Sequence, residues 1–149
     1  MNAPLNADDR KFIPEDVLRD SLLAHVAAAY FAIVKKLERR TKCSATRGFI
    51  LSKLRGGPLN KNQIARQLGF DRTVVHRAVQ SLLDERLVSQ HKAKSGRALL
   101  VQLTLKGQRY REELIQQRRA ADDKLRQSLT MEDRSTLLRL LKLISSLDL

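Results

Sequence analysis

The stretch IARQLGFDRTVVHRAVQSLLDERLV, residues 64–88, has the pattern of two short amphipathic helices joined by a tight turn. Gly69 suits a left-handed turn residue, and Asp71 suits the N-cap of the second helix. In the second helix, spacings of i, i+3, i+4 and i+7 predict one apolar face, formed by Val75, Ala78, Val79 and Leu82. The residues left outside that face are polar or basic: Arg72, Thr73, His76 and Arg77.

After this stretch the apolar residues change from helical spacing to alternation. Residues 87–91 and 98–103 are predicted to be strands, and the basic turn KAKSGR between them (92–97) predicts a β-hairpin with a charged tip. Lys106 and Gly107 are expected to close the hairpin. Helix, tight turn, helix and hairpin together predict a winged helix-turn-helix, whose second helix enters the major groove of DNA.

Two helices are predicted before this block. A long one runs from Pro14 to about Arg40, and a short one covers residues 46–54. The buried residues expected in the short helix are Phe49, Ile50 and Leu54. Asn60 and Gln63 then form a capping-box pattern at the start of the first helix of the helix-turn-helix.

Two more helices are predicted after the hairpin. A long charged segment covers about residues 108–129, and a capping box at Thr130–Asp133 opens the final helix. That helix carries an apolar stripe spaced as in a coiled coil, formed by Leu137, Leu140, Leu141, Ile144 and Leu147. A stripe this apolar favours association with another helix over exposure to solvent.

The chain has 149 residues and a net charge of +13. Such an imbalance indicates an acidic partner, with double-stranded DNA the first candidate and an anionic membrane surface the second. No apolar run approaches the roughly 20 residues that a membrane span needs. Cys43 is the only cysteine, so no intrachain disulfide can form, and a cytoplasmic location is expected.

Residues 35–55 are strongly basic. They include eight lysines and arginines and a single acidic residue, Glu38. The plain interpretation is a solubilising surface. The alternatives are contact with the DNA backbone and a pocket for an anionic effector.

Residues 55–107 resemble the DNA-binding lobe of the MarR (multiple antibiotic resistance regulator) family. The motifs that carry the resemblance are IARQLGFDRTVVHRAVQSLLDERLV and RALLVQLTLKG, the second similar to a wing strand that ends in Leu-Thr-x-x-Gly. The order of the flanking helices matches as well. The resemblance implies a mainly α fold in one domain, 1–149, with dimerisation helices at 14–40 and 108–149 around the winged lobe.

The same resemblance implies a homodimeric transcriptional regulator, usually a repressor, that occludes a pseudo-palindromic operator. Small phenolic or carboxylate effectors act on members of the family, and no cofactor is implied. The chain departs from the family pattern in two places. Ser95 and Gly96 stand where the wing commonly carries Asp-Arg, so an ion pair in the wing is not expected. Arg86 replaces a small residue before the first wing strand.

The candidate DNA-contacting residues share a place on the second helix, at the start of the first, or on the wing. Arginine can pair with guanine, and threonine or valine can meet a thymine methyl group, whereas the lysines suit phosphates. The alternative is an ordinary solvated helix face, with His76 as a half-buried hydrogen-bonding residue. The candidate set is Lys61, Arg72, Thr73, Val74, His76, Arg77, Lys92, Lys94, Ser95 and Arg97.

Nothing in the sequence indicates an enzyme. It has no phosphate-binding loop, no Ser-His-Asp pattern and no histidine spacing that suits a metal. His25 lies on an apolar helix face and is expected to be a core or pocket residue. Cys43 is either incidental or a redox sensor. The remaining alternative function is a packaging or scaffold protein that binds nucleic acid through charge alone.

Overall fold

The computed structural model describes residues 21–94 and 96–148, and it confirms the predicted class, mainly helical with a small antiparallel sheet. The chain consists of two compact units, and the boundary between them falls between Arg111 and Glu112. In chain order the elements are α1 (Leu22–Thr41), α2 (Ala45–Lys53), a 3-10 turn (Leu54–Gly56), β1 (Leu59–Asn60), α3 (Lys61–Leu68), α4 (Arg72–Asp84), β2 (Val88–Lys92), β3 (Leu99–Leu103), α5 (Leu105–Gln127) and α6 (Met131–Ser146).

Helix α1 begins later than the sequence predicted. Ser21 has an extended backbone, and its hydroxyl oxygen accepts a hydrogen bond from the Ala24 N–H at 3.2 Å. A serine that caps a helix in this way interrupts any helix arriving from before it, so the prediction of one helix from Pro14 is wrong at Ser21. Pro14 itself lies outside the described residues. The predicted end near Arg40 is confirmed, because Lys42 terminates the helix in a left-handed conformation.

The helix-turn-helix forms through the local signals that predicted it. Asn60 and Gln63 make the capping box at the start of α3. Gly69 ends α3 with φ of +67°, and Asp71 caps α4. Both helices bury apolar side chains in one core, to which α2 and β3 also contribute: Ile50, Leu51, Ile64, Val75, Val79, Leu82 and Val101.

Two predicted core positions are corrected. Phe49 is 42% exposed and meets Phe70 edge-on, with ring centroids 6.2 Å apart; the neighbouring Leu51 is buried in its place. In a helix, adjacent side chains point about 100° apart, so the inward face passes through Ile50, Leu51 and Leu54 and leaves Phe49 at its edge. Ala78 of α4 is only partly buried.

The sheet has three antiparallel strands in the order β1-β3-β2, with Leu59 opposite Val101 and Gln90 also opposite Val101. The two wing strands were predicted within one residue at each end. Strand β1 was not predicted, because two residues carry no detectable alternation. Gly107 does not close the hairpin as expected. It lies in the first turn of α5, where its N–H donates to the Thr104 hydroxyl at 3.0 Å.

The second unit contains most of α5, from Glu112 onward, and all of α6. Thr130 and Asp133 form the predicted capping box, and the bonds that Asp133 accepts from Thr130 lower the pKa of its carboxyl. No residue of α6 is fully buried within the chain. The leucines of its predicted apolar stripe are exposed by 40% or more, namely Leu137, Leu140, Leu141 and Leu147.

Candidate nucleic-acid interface

The N-terminal turn of α4 is held by its cap. The Asp71 carboxylate accepts a hydrogen bond from the Thr73 backbone N–H at 2.7 Å. That bond and a second from the Thr73 side chain lower the pKa of Asp71. The acidic side chain is therefore engaged with the helix end, where a negative charge is favourable, and the first turn of α4 is fixed in direction.

The exposed face of α4 contains the candidates that the sequence assigned to it. Val75, Val79 and Leu82 are buried on the opposite face, and Val74 is 44% exposed. All five predicted contact residues on this helix are exposed, namely Arg72, Thr73, Val74, His76 and Arg77. The division of α4 into a buried face and a polar face is thus as predicted, and His76 is not half-buried.

The start of helix α3 lies beside this exposed face of α4. The Lys61 ammonium donates a hydrogen bond to Nδ1 of His76 at 3.1 Å. Lys61 opens α3 and His76 lies in the second turn of α4, so the bond bridges the two helices of the motif. Around it lies an open concave surface of about 360 Å³, lined by Lys61, Asn62, Arg72, Thr73 and His76.

Asn62 is the member of this concave surface that sequence reasoning missed. It follows Lys61 in the first turn of α3 and is exposed. Its position after the capping residue Asn60 was a usable signal, because the free N–H groups and polar side chains of a helix N-terminus suit phosphate oxygens.

The wing projects three of its predicted contact residues into solvent. Lys92, at the end of β2, and Lys94 and Arg97, in the turn, are all exposed, whereas Ser95 lies outside the described residues. The Ala93 N–H donates to the Ala98 carbonyl at 3.0 Å and closes the loop. Gly96 has φ of +105°, a conformation that side-chain-bearing residues avoid. The glycine that departs from the family pattern therefore matches the shape of this turn.

The far end of α4 is anchored away from this surface. The Arg47 guanidinium pairs with the Glu85 carboxylate at 2.7 Å, and the Lys106 ammonium donates to the Glu85 carbonyl at 2.8 Å. Arg47 belongs to the basic run between residues 35 and 55, and its charge is used in packing. This gives that residue a structural role that neither the solubilising nor the ligand interpretation assigned to it.

Cys43 is buried, with 5% of its surface exposed. Its thiol donates to the Ser44 carbonyl at 3.5 Å. Burial, and then the neighbouring Cys43 side chain, raise the pKa of the Tyr110 hydroxyl to about 12. A redox-sensing cysteine is expected to be accessible to its oxidant, so this packing is evidence against the sensor interpretation.

Comparison with known proteins agrees with this architecture. A family model described as the IclR helix-turn-helix domain matches residues 53–92. No curated protein matches the sequence. Within residues 21–94 and 96–148, no helix is long and apolar enough to cross a membrane.

Solved structures of transcriptional regulators resemble the chain over most of its length. A MarR mutant from E. coli in complex with operator DNA is 18% identical, with a TM-score of 0.75 over 89% of this chain and 99% of that one. A probable transcriptional regulator from Pseudomonas aeruginosa is 22% identical, with a TM-score of 0.75 over 85% and 98%.

BpsR from Bordetella bronchiseptica, whose DNA binding is regulated by 6-hydroxynicotinic acid, is 20% identical, with a TM-score of 0.73 over 87% and 96%. The chain therefore has the winged helix-turn-helix fold of transcriptional regulators.

Proposed function

We propose that this protein is a homodimeric transcriptional regulator of the MarR type that binds a pseudo-palindromic site in double-stranded DNA. The observation that carries the proposal is the exposed face of α4, where Arg72, Thr73, His76 and Arg77 lie on the side opposite the buried Val75 and Val79. Helix α4 is then the recognition helix, and its first two turns face base edges.

The MarR assignment rests on the helices outside the helix-turn-helix. The IclR model covers only residues 53–92, a segment that many winged-helix families share. The resemblance to E. coli MarR extends over 89% of the chain and so includes helices before and after the lobe. In this proposal residues 55–107 bind DNA, and helices within 14–40 and 108–149 form the dimer, in a single domain of residues 1–149.

Exposed apolar side chains support a second copy as the partner. Helix α6 exposes a row of leucines, and α1 exposes Tyr30, Phe31 and Ile33. Apolar surfaces this extensive are covered in a stable protein. Two lobes are also needed for specificity, because one lobe contacts too few base pairs. The two recognition helices would occupy half-sites roughly 34–36 Å apart, one turn of DNA.

The wing and the lysines supply affinity that does not depend on sequence. Lys92, Lys94 and Arg97 are exposed at the hairpin, where they would meet phosphates or the adjacent minor groove. Phosphate contacts of this kind dominate affinity and make it sensitive to salt.

The proposal also includes a mode of regulation. The bound dimer would repress transcription by occluding a promoter, and a small anionic or phenolic ligand would relieve the repression. The regulation of BpsR by 6-hydroxynicotinic acid supports this chemical class of effector. A ligand would act by changing the distance between the two recognition helices, since that distance has to match the DNA turn.

Footprinting on genomic fragments, followed by selection of bound sequences at physiological salt, tests the proposal. We expect a discrete protected site with two inverted half-sites. Uniform protection without a palindromic site would contradict it and would favour a packaging protein that binds through charge alone.

A further inference from the structure

The hydrogen bond between Lys61 and His76 has a consequence for what His76 can recognise. A lysine ammonium has three donors and no acceptor. Nδ1 of His76 lies 3.1 Å from the Lys61 nitrogen and therefore has to be the acceptor. The neutral imidazole then carries its proton on Nε2, so its free ring nitrogen is a donor.

His76 lines the concave surface together with Arg72 and Thr73. His76 is exposed, and it lies four residues after Arg72 and three after Thr73, so all three share one side of α4. From Arg72 to His76 the helix rises about 6 Å, somewhat less than two base-pair steps of about 3.4 Å. The two side chains are therefore placed to meet neighbouring or next-neighbouring base pairs.

We propose that Lys61 is a positioning residue that presents His76 to DNA as an Nε2–H donor, and that His76 reads the N7 acceptor of a purine in the major groove. The inference rests on the proposed function. In the major groove, guanine and adenine both present N7, thymine presents O4 beside its methyl group, and cytosine presents only a donor. Because the contact proposed here is with N7, the position read by His76 should prefer a purine on the nearer strand over both pyrimidines, and a purine lacking N7 should lose the contact.

The role of Lys61 in positioning His76 can be distinguished by experiment from that of a simple phosphate ligand. A lysine that only neutralises phosphate lowers affinity for all sequences equally when it is removed. A lysine that orients a base-reading histidine changes the preference at one position. The two roles thus differ in a selection experiment even if both reduce total affinity.

The experiment begins with the sequences selected by the wild-type dimer and by His76→Ala. We expect His76→Ala to lose the preference at one position in each half-site, a purine in the wild type. Replacing that purine with its 7-deaza analogue should weaken wild-type binding roughly 2- to 10-fold, the value of one hydrogen bond, and should not affect His76→Ala.

Two substitutions of Lys61 complete the test. Lys61→Met removes the donor and should relax the preference at the His76 position while that at the Arg72 position stays. Lys61→Arg keeps a donor and should retain both. In the free protein, ¹⁵N spectra of the His76 ring should show the proton on Nε2 in the wild type and a changed signal in Lys61→Met.

The inference is overturned if the 7-deaza analogue binds as well as the natural purine, or if Lys61→Met weakens all sequences equally with the His76 preference intact. A preference for a pyrimidine on the nearer strand overturns it as well. These outcomes leave the proposed function standing, since a discrete site is still bound. If the wild type selects no discrete sequence, the proposed function itself fails.

Discussion

The carbonyl oxygen of Leu87 lies against the Cα of Gly107, so that a Cβ at residue 107 would overlap it. The same carbonyl accepts hydrogen bonds from the backbone N–H and the hydroxyl of Thr104, each at 3.1 Å. The residue that precedes β2 and the first turn of α5 are therefore joined at one point, and only glycine fits there.

Gly107→Ala should destabilise the protein by ~1–3 kcal/mol, because the methyl group meets backbone that cannot move aside easily. Urea unfolding at a fixed protein concentration measures the change. Gly56→Ala is the control, since nothing lies within 4 Å of a Cβ at that position, and it should leave stability unchanged or slightly raised. Equal stability of the two variants would contradict this account of the contact.

Arg86→Gly should stabilise the protein. Arg86 has φ of +58°, a left-handed conformation that costs a side-chain-bearing residue about 1–2 kcal/mol, partly offset by the greater unfolded-state freedom of glycine. We expect a net gain of about 0.5–1 kcal/mol in the free energy of unfolding, measured with urea. Lys42→Gly, at φ of +54°, should behave in the same way. A loss of stability in both variants would show that the left-handed conformation is not strained.

Arg72→Ala and Lys94→Ala should affect DNA binding differently. Arg72 is exposed in the first turn of α4, where its guanidinium can pair with guanine. Losing such a pair reduces the preference for the correct base by about 1–3 kcal/mol. Lys94 lies in the wing turn and suits phosphate. Arg72→Ala should lose affinity for the selected site more than for random DNA. Lys94→Ala should weaken both equally and reduce the salt dependence by about one phosphate contact. Equal losses on both DNAs for Arg72→Ala would remove it from base recognition.

Leu141→Glu should convert the proposed dimer into monomers. Leu141 is 45% exposed on α6, and a glutamate buried there without a partner is strongly unfavourable. Light scattering after size-exclusion chromatography measures the mass. Lys142→Glu, which also introduces an acid on α6 but at the adjacent position, should remain dimeric. A wild type that is monomeric at micromolar concentration would contradict the dimer directly.

The Tyr110 hydroxyl should ionise at about pH 12 instead of near 10.0, because burial disfavours the phenolate. A group whose folded pKa is raised stabilises the folded state below its unfolded pKa. That contribution is lost as the pH rises from about 10 through 12. Ultraviolet titration of the wild type and Tyr110→Phe identifies the late step. We expect the step near pH 12 to be absent from the titration of Tyr110→Phe. If the substitution instead removes a step near pH 10, burial does not raise the pKa of Tyr110.

Much of the winged lobe could be predicted from sequence because its signals are local. The capping box of Asn60 and Gln63, the left-handed Gly69 and the Asp71 cap each depend on residues within a few positions of one another. The apolar spacing of Val75, Val79 and Leu82 then determined which side of α4 is free. The predicted set on that helix lies on the exposed side for the same reason.

The errors occurred where distant contacts or competing local signals decide the structure. Phe49 was predicted to be buried because it is apolar, but α2 turns its neighbour Leu51 inward. Gly107 was interpreted as a turn residue, although Leu87, twenty positions away in sequence, is what requires it. His25 was expected in a core or pocket, yet it is exposed and its Nδ1 donates to the Ser21 carbonyl at 2.9 Å. The start of α1 was placed at Pro14 although the cap at Ser21 is a local signal.

The sequence by itself determined the order of helices and wing, the caps, and the face of α4 that points away from the core, because neighbouring residues fix backbone direction. Only the tertiary structure decided the contacts between elements. Lys61 meets His76 fifteen residues away, Arg47 pairs with Glu85, and Gly107 closes on Leu87. Such pairs depend on how helices and strands pack in three dimensions, and hydrophobic spacing along the chain carries no information about them.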